Sequence, residues 1–492
     1  MSHQFQRLVG LSMLMMMMSI TPARGLDGGP RQMTPRNGWQ AFEVISVGNN
    51  PAGDGINYAM PGTFDGLGAW LAGDGILRTL VNHETSDASV SEVNMNLSQL
   101  KTAISNTINT GTTGGISFVS SARQAYARWS NNGGNTWINT ANTANTSFSR
   151  FCSGQSYVPD TFGPGRGFVD NLYLTGEEFS TTNRLFAIDL ANRDFYQLSG
   201  VTGSAAGGVG GMPFDSYENV ALIDTGETSH VALLLSPDGG SSTMRLYIGE
   251  KGKGTTGVAS NSLLARNGLA YGSTYYLNGT LPSTGTFLNG SFDRSVAGSL
   301  QSSKLEDVDT SPFDPTQVVL GDQDSGVFTF DFQLNFGGGL FNAASSSFSI
   351  TKIVNHNDDI DGLAGDADNV DWTAPTTLGG VNFPQGLIFV NEDSGTENGE
   401  TWMVRPDGTD LSLIADNVGI ATASESSGIL DISPLVGYLP GSVLLTSNQG
   451  TVASLTVLVH PHATQVPEPS ALFLLSLSCG WLRVSQRSRR PS

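Results

Sequence analysis

Leu172-Tyr173-Leu174-Thr175-Gly176-Glu177-Glu178 passes through a short loop into Arg184-Leu185-Phe186-Ala187-Ile188-Asp189. An apolar run too short for a helix ends in carboxylates, a turn follows, and a second apolar run returns, which is the pattern of a β-hairpin. The same syntax recurs without exact repetition. Leu387-Ile388-Phe389-Val390-Asn391-Glu392-Asp393 leads to Thr401-Trp402-Met403-Val404, and Val318-Val319-Leu320-Gly321-Asp322-Gln323-Asp324 leads to Val327-Phe328-Thr329-Phe330-Asp331. Leu77-Arg78-Thr79-Leu80-Val81-Asn82-His83-Glu84 is a fourth, partial case.

Further strands are expected over 231–235 and 244–248. Glycine is abundant, 61 of 492 residues, and helical periodicity is weak, which suits many short strands joined by turns. Hairpins spread over roughly 440 residues predict an all-β fold, and the blades of a β-propeller accommodate them better than a sandwich. Residues 101–149, rich in Asn, Thr, Ser and Gly, read as a long polar insertion with a short helix over 121–129.

A propeller has a chemical consequence. Corresponding strand ends of successive blades converge around one end of the central channel, so acidic ends far apart in sequence would face one another. Carboxylates crowded in this way repel unless a cation sits among them. The alternative is that each acid caps its own turn at the surface.

The two termini carry separate information. Arg7, the apolar stretch from Leu8 to Ile20 and the small residues Thr21 and Ala23 describe a signal peptide over 1–25, the run being short of the ~20 residues a membrane span needs. Near the other end, Val466-Pro467-Glu468-Pro469-Ser470 precedes an apolar run and then Arg483, Arg487, Arg489 and Arg490. The prolines keep that segment extended and the arginines favour the cytoplasmic side of a membrane. An ordinary tail anchor is the competing reading. Between the termini, 26–465 form the folded domain. A net charge of −20 argues against nucleic acid as partner. Cys479 lies in the tail, so Cys152 is alone in the domain and no internal disulfide holds it.

The segment 466–492 resembles the PEP-CTERM sorting signal, which implies export into the bacterial cell envelope or extracellular matrix, transient anchoring by the tail, an exosortase-type processing enzyme as partner, and an exopolysaccharide matrix as surroundings. Along the domain, Asn82-His83-Glu84, Arg150-Phe151-Cys152-Ser153, Thr175-Gly176-Glu177-Glu178, Tyr217-Glu218-Asn219-Val220, Lys304-Leu305-Glu306-Asp307, Ala367-Asp368-Asn369-Val370, Glu392-Asp393 and the segment from Glu425 to Asp431 fall in an order that resembles the PhoX-type alkaline phosphatases. The resemblance implies a six-bladed propeller that binds calcium and iron at its channel mouth and hydrolyses phosphate monoesters. It implies Glu177, Glu178, Glu218, Glu306 and Asp368 as metal ligands, and Lys304 and Glu306 as catalytic residues, with Lys304 facing the phosphate of a phosphoester substrate.

Two departures bear on this. Gly176 stands where the family has a cysteine that ligates iron, so Ca²⁺ is the expected cofactor and Fe³⁺ is in doubt; Cys152, from a different motif, is not expected to replace that thiolate. Lys304 stands for an arginine and lacks its planar fork. The rival reading is a non-catalytic, calcium-stabilised module that binds the matrix.

Other constellations are weaker. The acids Asp358, Asp359, Asp361, Asp366, Asp368 and Asp371 would serve a calcium loop, although EF-hand spacing is not met. The six histidines make no zinc set; His83 reads equally as a neighbour of the metal or as a structural hydrogen-bonding residue. No Gly-x-Ser-x-Gly elbow supports a serine hydrolase.

Overall fold

In a computed structural model, the described residues are 32–466, apart from 52–56, 141–147, 179–182, 202, 205–210, 240–241, 356–365, 394–398 and 418–422. The signal peptide expected over 1–25, the tail beyond 466 and the acids Asp358, Asp359 and Asp361 therefore lie outside the described residues.

The protein is all-β and of propeller type. Its described strands fall into antiparallel units built outward from a short inner strand. The first unit comprises Phe64–Leu71, Ile76–His83, Ser89–Asn96 and Val119–Gln124. The second comprises Gly154–Tyr157, Leu172–Gly176, Leu185–Asp189 and Asp194–Gln197, and the third Tyr217–Ile223, His230–Pro237, Arg245–Glu250 and Tyr271–Asn278. The fourth is Leu305–Thr310, Gln317–Asp322, Gly326–Gln333 and Ser347–Asn355, and the fifth Ala367–Trp372, Ile388–Glu392, Glu400–Val404 and Ser412–Asp416. The sixth takes Ala423–Asp431, Val443–Gly450 and Ser454–Val459 from the C-terminal part, and Gln40–Ser46 from the N-terminal part. Pairing of the two ends of the domain in one sheet ties the ring shut, and each inner strand packs on the next, the sixth on the first.

Packing follows from the same arrangement. Six apolar clusters lie among the described residues, each between two neighbouring units; one joins Leu174 and Leu185 to Leu222, Leu233 and Tyr247, another Leu234 and Leu246 to Leu320 and Phe328. Second strands are covered on both faces, which is why His230–Pro237 is buried throughout and reads as the near-continuous apolar run Val231-Ala232-Leu233-Leu234-Leu235. Each such Leu or Phe taken from water contributes ~1.5–3 kcal/mol before chain entropy is counted.

Every strand expected from the sequence is present, with ends shifted by one or two residues. The stretch 101–149 differs. Leu97–Thr110 is a helix with Asn96 as N-cap and Gly111 in the left-handed region as C-cap; its Leu100, Ala103 and Ile104 fill the cluster between the sixth and first units. The segment 121–129 is not helical: Val119–Gln124 is the outer strand of the first unit, and Arg128–Ser130 pairs in parallel with Asp194–Gln197 of the second. Ala122 and Trp129 are buried there, so packing against neighbouring units overrides a composition that looks like loop.

Candidate metal centre

Asp65, Glu218, Glu306, Asp368 and Glu425 stand near the starts of five inner strands. At each of them the pairing with the second strand slips: between Phe64 and Leu67, Tyr217 and Asn219, Leu305 and Val308, Ala367 and Val370, and around Glu425. A bulge kinks the strand and re-aims a side chain that strict alternation would point elsewhere. In the second unit Cys152 occupies the corresponding place, just ahead of Gly154–Tyr157.

The second strands supply the next ring. The residues that hold each second strand to the following unit are equivalent in position. Asn82 donates to the Cys152 and Ser153 carbonyls, Ser236 to that of Glu306, Asn391 to those of Ser427 and Gly428, and Ser447 to that of Asp65. Gly176 and Gly321 occupy the same place by close approach to Tyr217 and Asp368. Two residues after these positions come Glu84, Glu178, Asp238 and Asp393 on one side of the ring, and Gln323 and Gln449 where the unit has an amide instead. Gln323 donates to Asp393 and Gln449 to Glu84, so even the amides serve the carboxylates.

The two rings enclose a cavity of about 300 Å³ lined by nine carboxylates, Cys152, Arg150 and Lys304. Three groups of side chains within it each bring ligand atoms within 4.8 Å of one another: Asp65, Glu84 and Cys152; Cys152, Glu178 and Glu218; Glu218, Glu306 and Asp368. Cys152 belongs to the first two and Glu218 to the last two, so the groups form a chain. The Cys152 thiol lies 3.1 Å from Glu178 Oε2, and Glu218 Oε1 accepts from Ser153 N at 3.0 Å and Ser153 Oγ at 2.7 Å.

Burial and mutual repulsion set the protonation of the cavity. Burial, with Glu218 beside it, pushes the Glu178 carboxyl up to about 9. Glu218 is pushed up to about 8 by burial and by Asp238. Asp65, Glu306, Asp368 and Glu425 rise well above the usual carboxylate range from burial and from Glu84, Glu218, Glu306 and Asp393 respectively. Burial works against the charge of Lys304, yet Glu306 at 2.9 Å and Asp238 at 2.8 Å outweigh it and hold the ammonium charged. Two cations cannot neutralise nine acids, so the cavity either keeps protons or takes up hard cations, which oxygen donors at these spacings suit.

The structure brings Glu178, Glu218, Glu306, Asp368 and Lys304 together. It does not bring Glu177, whose buried carboxylate is held by Arg184 at 2.5 and 2.6 Å and by Ser149 N, outside the cavity lining. Gly176 also takes a different meaning. A Cβ there would sit 2.5 Å from Tyr217 Cβ and nearer its carbonyl oxygen, so this position packs on the third unit and offers nothing to the cavity. The sulfur at the site is Cys152. His83 is structural: it is fully buried, bonds Gly62 O and Ser91 Oγ, and burial lowers it to about 4.

Asp65, Arg150 and Asp238 were not identified from sequence as site residues. Asp65 hides among glycines, and Asp238 sits in a Pro-Asp-Gly-Gly string that reads as a turn. Arg150 is half-exposed at the rim, with Nη1 3.0 Å from Glu84 Oε1.

No protein-family model and no curated protein matches the chain. Among solved structures, it is similar to the PQQ-bound aldose sugar dehydrogenase of Streptomyces coelicolor, at 11% identity and a TM-score of 0.34, over 87% of this chain and 99% of that one. It is also similar to a putative 6-phosphogluconolactonase of Bacteroides fragilis, at 11% identity and a TM-score of 0.31, over 81% and 98%. At this level the likenesses assign neither site nor chemistry.

Proposed function

We propose that the cavity is the metal centre of an exported phosphoester hydrolase. The observation that carries the reading is the chain of three ligand groups joined through Cys152 and Glu218. Residues shared between groups fit neighbouring cations better than one isolated ion, and hard cations bound there would supply Lewis-acid stabilisation of a phosphate's developing charge. Calcium fits the carboxylate groups; the thiol of Cys152 adds a soft donor that suits iron better than calcium.

The residues of the chain have separable parts in this reading. Arg150, half-exposed at the rim, presents a planar guanidinium to phosphate oxygens as a substrate enters. Lys304, held by Asp238 and Glu306, fixes a positive charge deeper in the cavity and orients the Glu306 carboxylate. Export is part of this proposal and rests on the sequence features at 1–25 and 466–492; under it the activity would lie in the envelope.

Purified protein, reconstituted with Ca²⁺ alone and with Ca²⁺ plus Fe³⁺, should hydrolyse p-nitrophenyl phosphate, with activity lost in Glu306→Gln and reduced in Arg150→Ala. Bound metal without hydrolysis under either condition would replace this reading by the non-catalytic, calcium-stabilised matrix-binding module.

A further inference from the structure

At the far ends of the fourth, fifth and sixth inner strands stand Asp309, Asp371 and Asp431, bordering a second cavity of about 540 Å³ at the opposite mouth of the channel. Asp309 accepts from Thr310 N and Trp372 N, each at 2.7 Å, and from Gln155; Asp431 accepts from Ser433 N and Gly441 N, each at 2.9 Å. These two carboxylates are spent on tying strands together. Asp371 is not. It is 6% exposed, its Oδ2 accepts one bond from Asp431 N at 3.1 Å, and no hydrogen bond among the described residues reaches Oδ1.

Most donors of the cavity wall are engaged. The hydroxyls of Ser156, Thr161, Thr310 and Thr373 donate to backbone carbonyls, Arg166 gives one N–H to Asp224 and one to the Phe162 carbonyl, and the Ser311 hydroxyl oxygen accepts from Phe313 N and Asp314 N. What remains is chiefly acceptor capacity at three buried carboxyls, of which Asp371 is pushed well above the usual carboxylate range by burial and by Asp309 and Asp431, a shift that a cation beside it would relieve; the walls include Phe162, Trp372 and several prolines. A metal ion is disfavoured, because the described ligand groups that converge closely enough lie only in the first cavity. A sugar would bring more acceptors than the few remaining donors, on Arg166 and Ser311, can meet, and would leave Asp371 Oδ1 without a charged partner. A ligand that consists of donors, carries positive charge and has an apolar body fits all three constraints.

We propose that this second cavity binds a primary alkylammonium group, a small amine or the end of a lysine-like chain, with its NH₃⁺ on Asp371 Oδ1. The site is independent of the metal centre and of the hydrolase reading.

Calorimetric titration of the calcium-saturated protein with n-butylammonium chloride tests it. Saturable one-to-one binding is expected, weakened at least tenfold in Asp371→Asn and unchanged in Glu218→Gln. Should Asp371→Asn fail to fold, Ala374→Phe, which fills the cavity and leaves the carboxylate in place, should abolish binding. The proposal is overturned by absence of saturable binding, by parental affinity in Asp371→Asn or Ala374→Phe, by loss of binding in Glu218→Gln, or by competition from methyl glucoside.

Discussion

Cys152 Sγ and Glu178 Oε2 lie 3.1 Å apart, although one residue precedes the inner strand of the second unit and the other follows its second strand. The thiol is pushed up by burial and by Glu218, Glu178, Glu84 and Asp65, so without a cation it stays protonated and donates to the carboxylate. A bound metal reverses that preference by stabilising the thiolate. Loading with Co²⁺ should therefore give a sulfur-to-metal charge-transfer band that Cys152→Ser abolishes. An identical spectrum from the variant would remove Cys152 from the ligand set.

Gly176→Cys tests the position at which the family resemblance would place a thiolate. The new side chain meets Tyr217 backbone at sub-van-der-Waals range, and overpacking of this kind costs about 1–3 kcal/mol. The variant should melt lower than the parent and bind no additional metal. A gain in iron content at unchanged stability would show that the third unit yields to the side chain.

Part of this site is legible in the sequence because its syntax recurs: an apolar strand ends in acids before the next strand begins, which marks Glu178, Glu84 and Asp393. Asp238 keeps the same place in the fold, but its Pro-Asp-Gly-Gly string reads as a turn. What sequence could not resolve is which of two adjacent acids turns inward at a strand end. Side chains alternate along a strand, and Glu177 and Glu178 differ only in which one meets Arg184. The inner-strand acids depend on bulges, and Cys152 on an inner strand of four residues, Gly154–Tyr157, too short to announce itself. The interface positions of Ala122 and Trp129 were missed for a related reason: their burial comes from neighbouring units and leaves no trace in local composition.

Glu177→Gln separates structure from metal. Its carboxylate is fully buried with Arg184, and leaving a buried guanidinium without its partner typically costs about 3–5 kcal/mol. A large fall in melting temperature with unchanged calcium affinity is expected. Weakened calcium binding at parental stability would return Glu177 to the metal site.

The metal-free protein should lose stability as pH rises. Glu178 and Glu218 have folded values of about 9 and about 8, above the ordinary 4.5, so the folded state binds more protons than the unfolded state between these limits. Their contribution is fully present below about pH 4.5 and is lost as pH climbs through 8 to 9. Melts in excess chelator should fall across that window. Calcium competes with the same protons, so its affinity should rise over the same range. A chelated melt that is flat from pH 5 to 9 would mean that the cavity does not hold these protons.

Glu218→Gln should act with opposite sign on the two states of the protein. Glu218 belongs to two of the three ligand groups, so its loss weakens two neighbouring sites at once. In the metal-free protein above about pH 8, where Glu218 is ionised, the same change removes a buried charge that raises Glu178, Glu306 and Asp368, and repulsion falls; at lower pH it replaces a protonated carboxyl and changes little. Above about pH 8 the chelated variant should thus melt at or above the chelated parent. The loaded parent should gain about 2.7 kcal/mol when free calcium stands a hundredfold above its dissociation constant. At the same calcium concentration the variant, with weaker binding, should gain less. The melting curves of parent and variant should therefore cross as calcium is raised. Parallel curves at all calcium concentrations would show that Glu218 serves the fold, through Ser153, and not the cation.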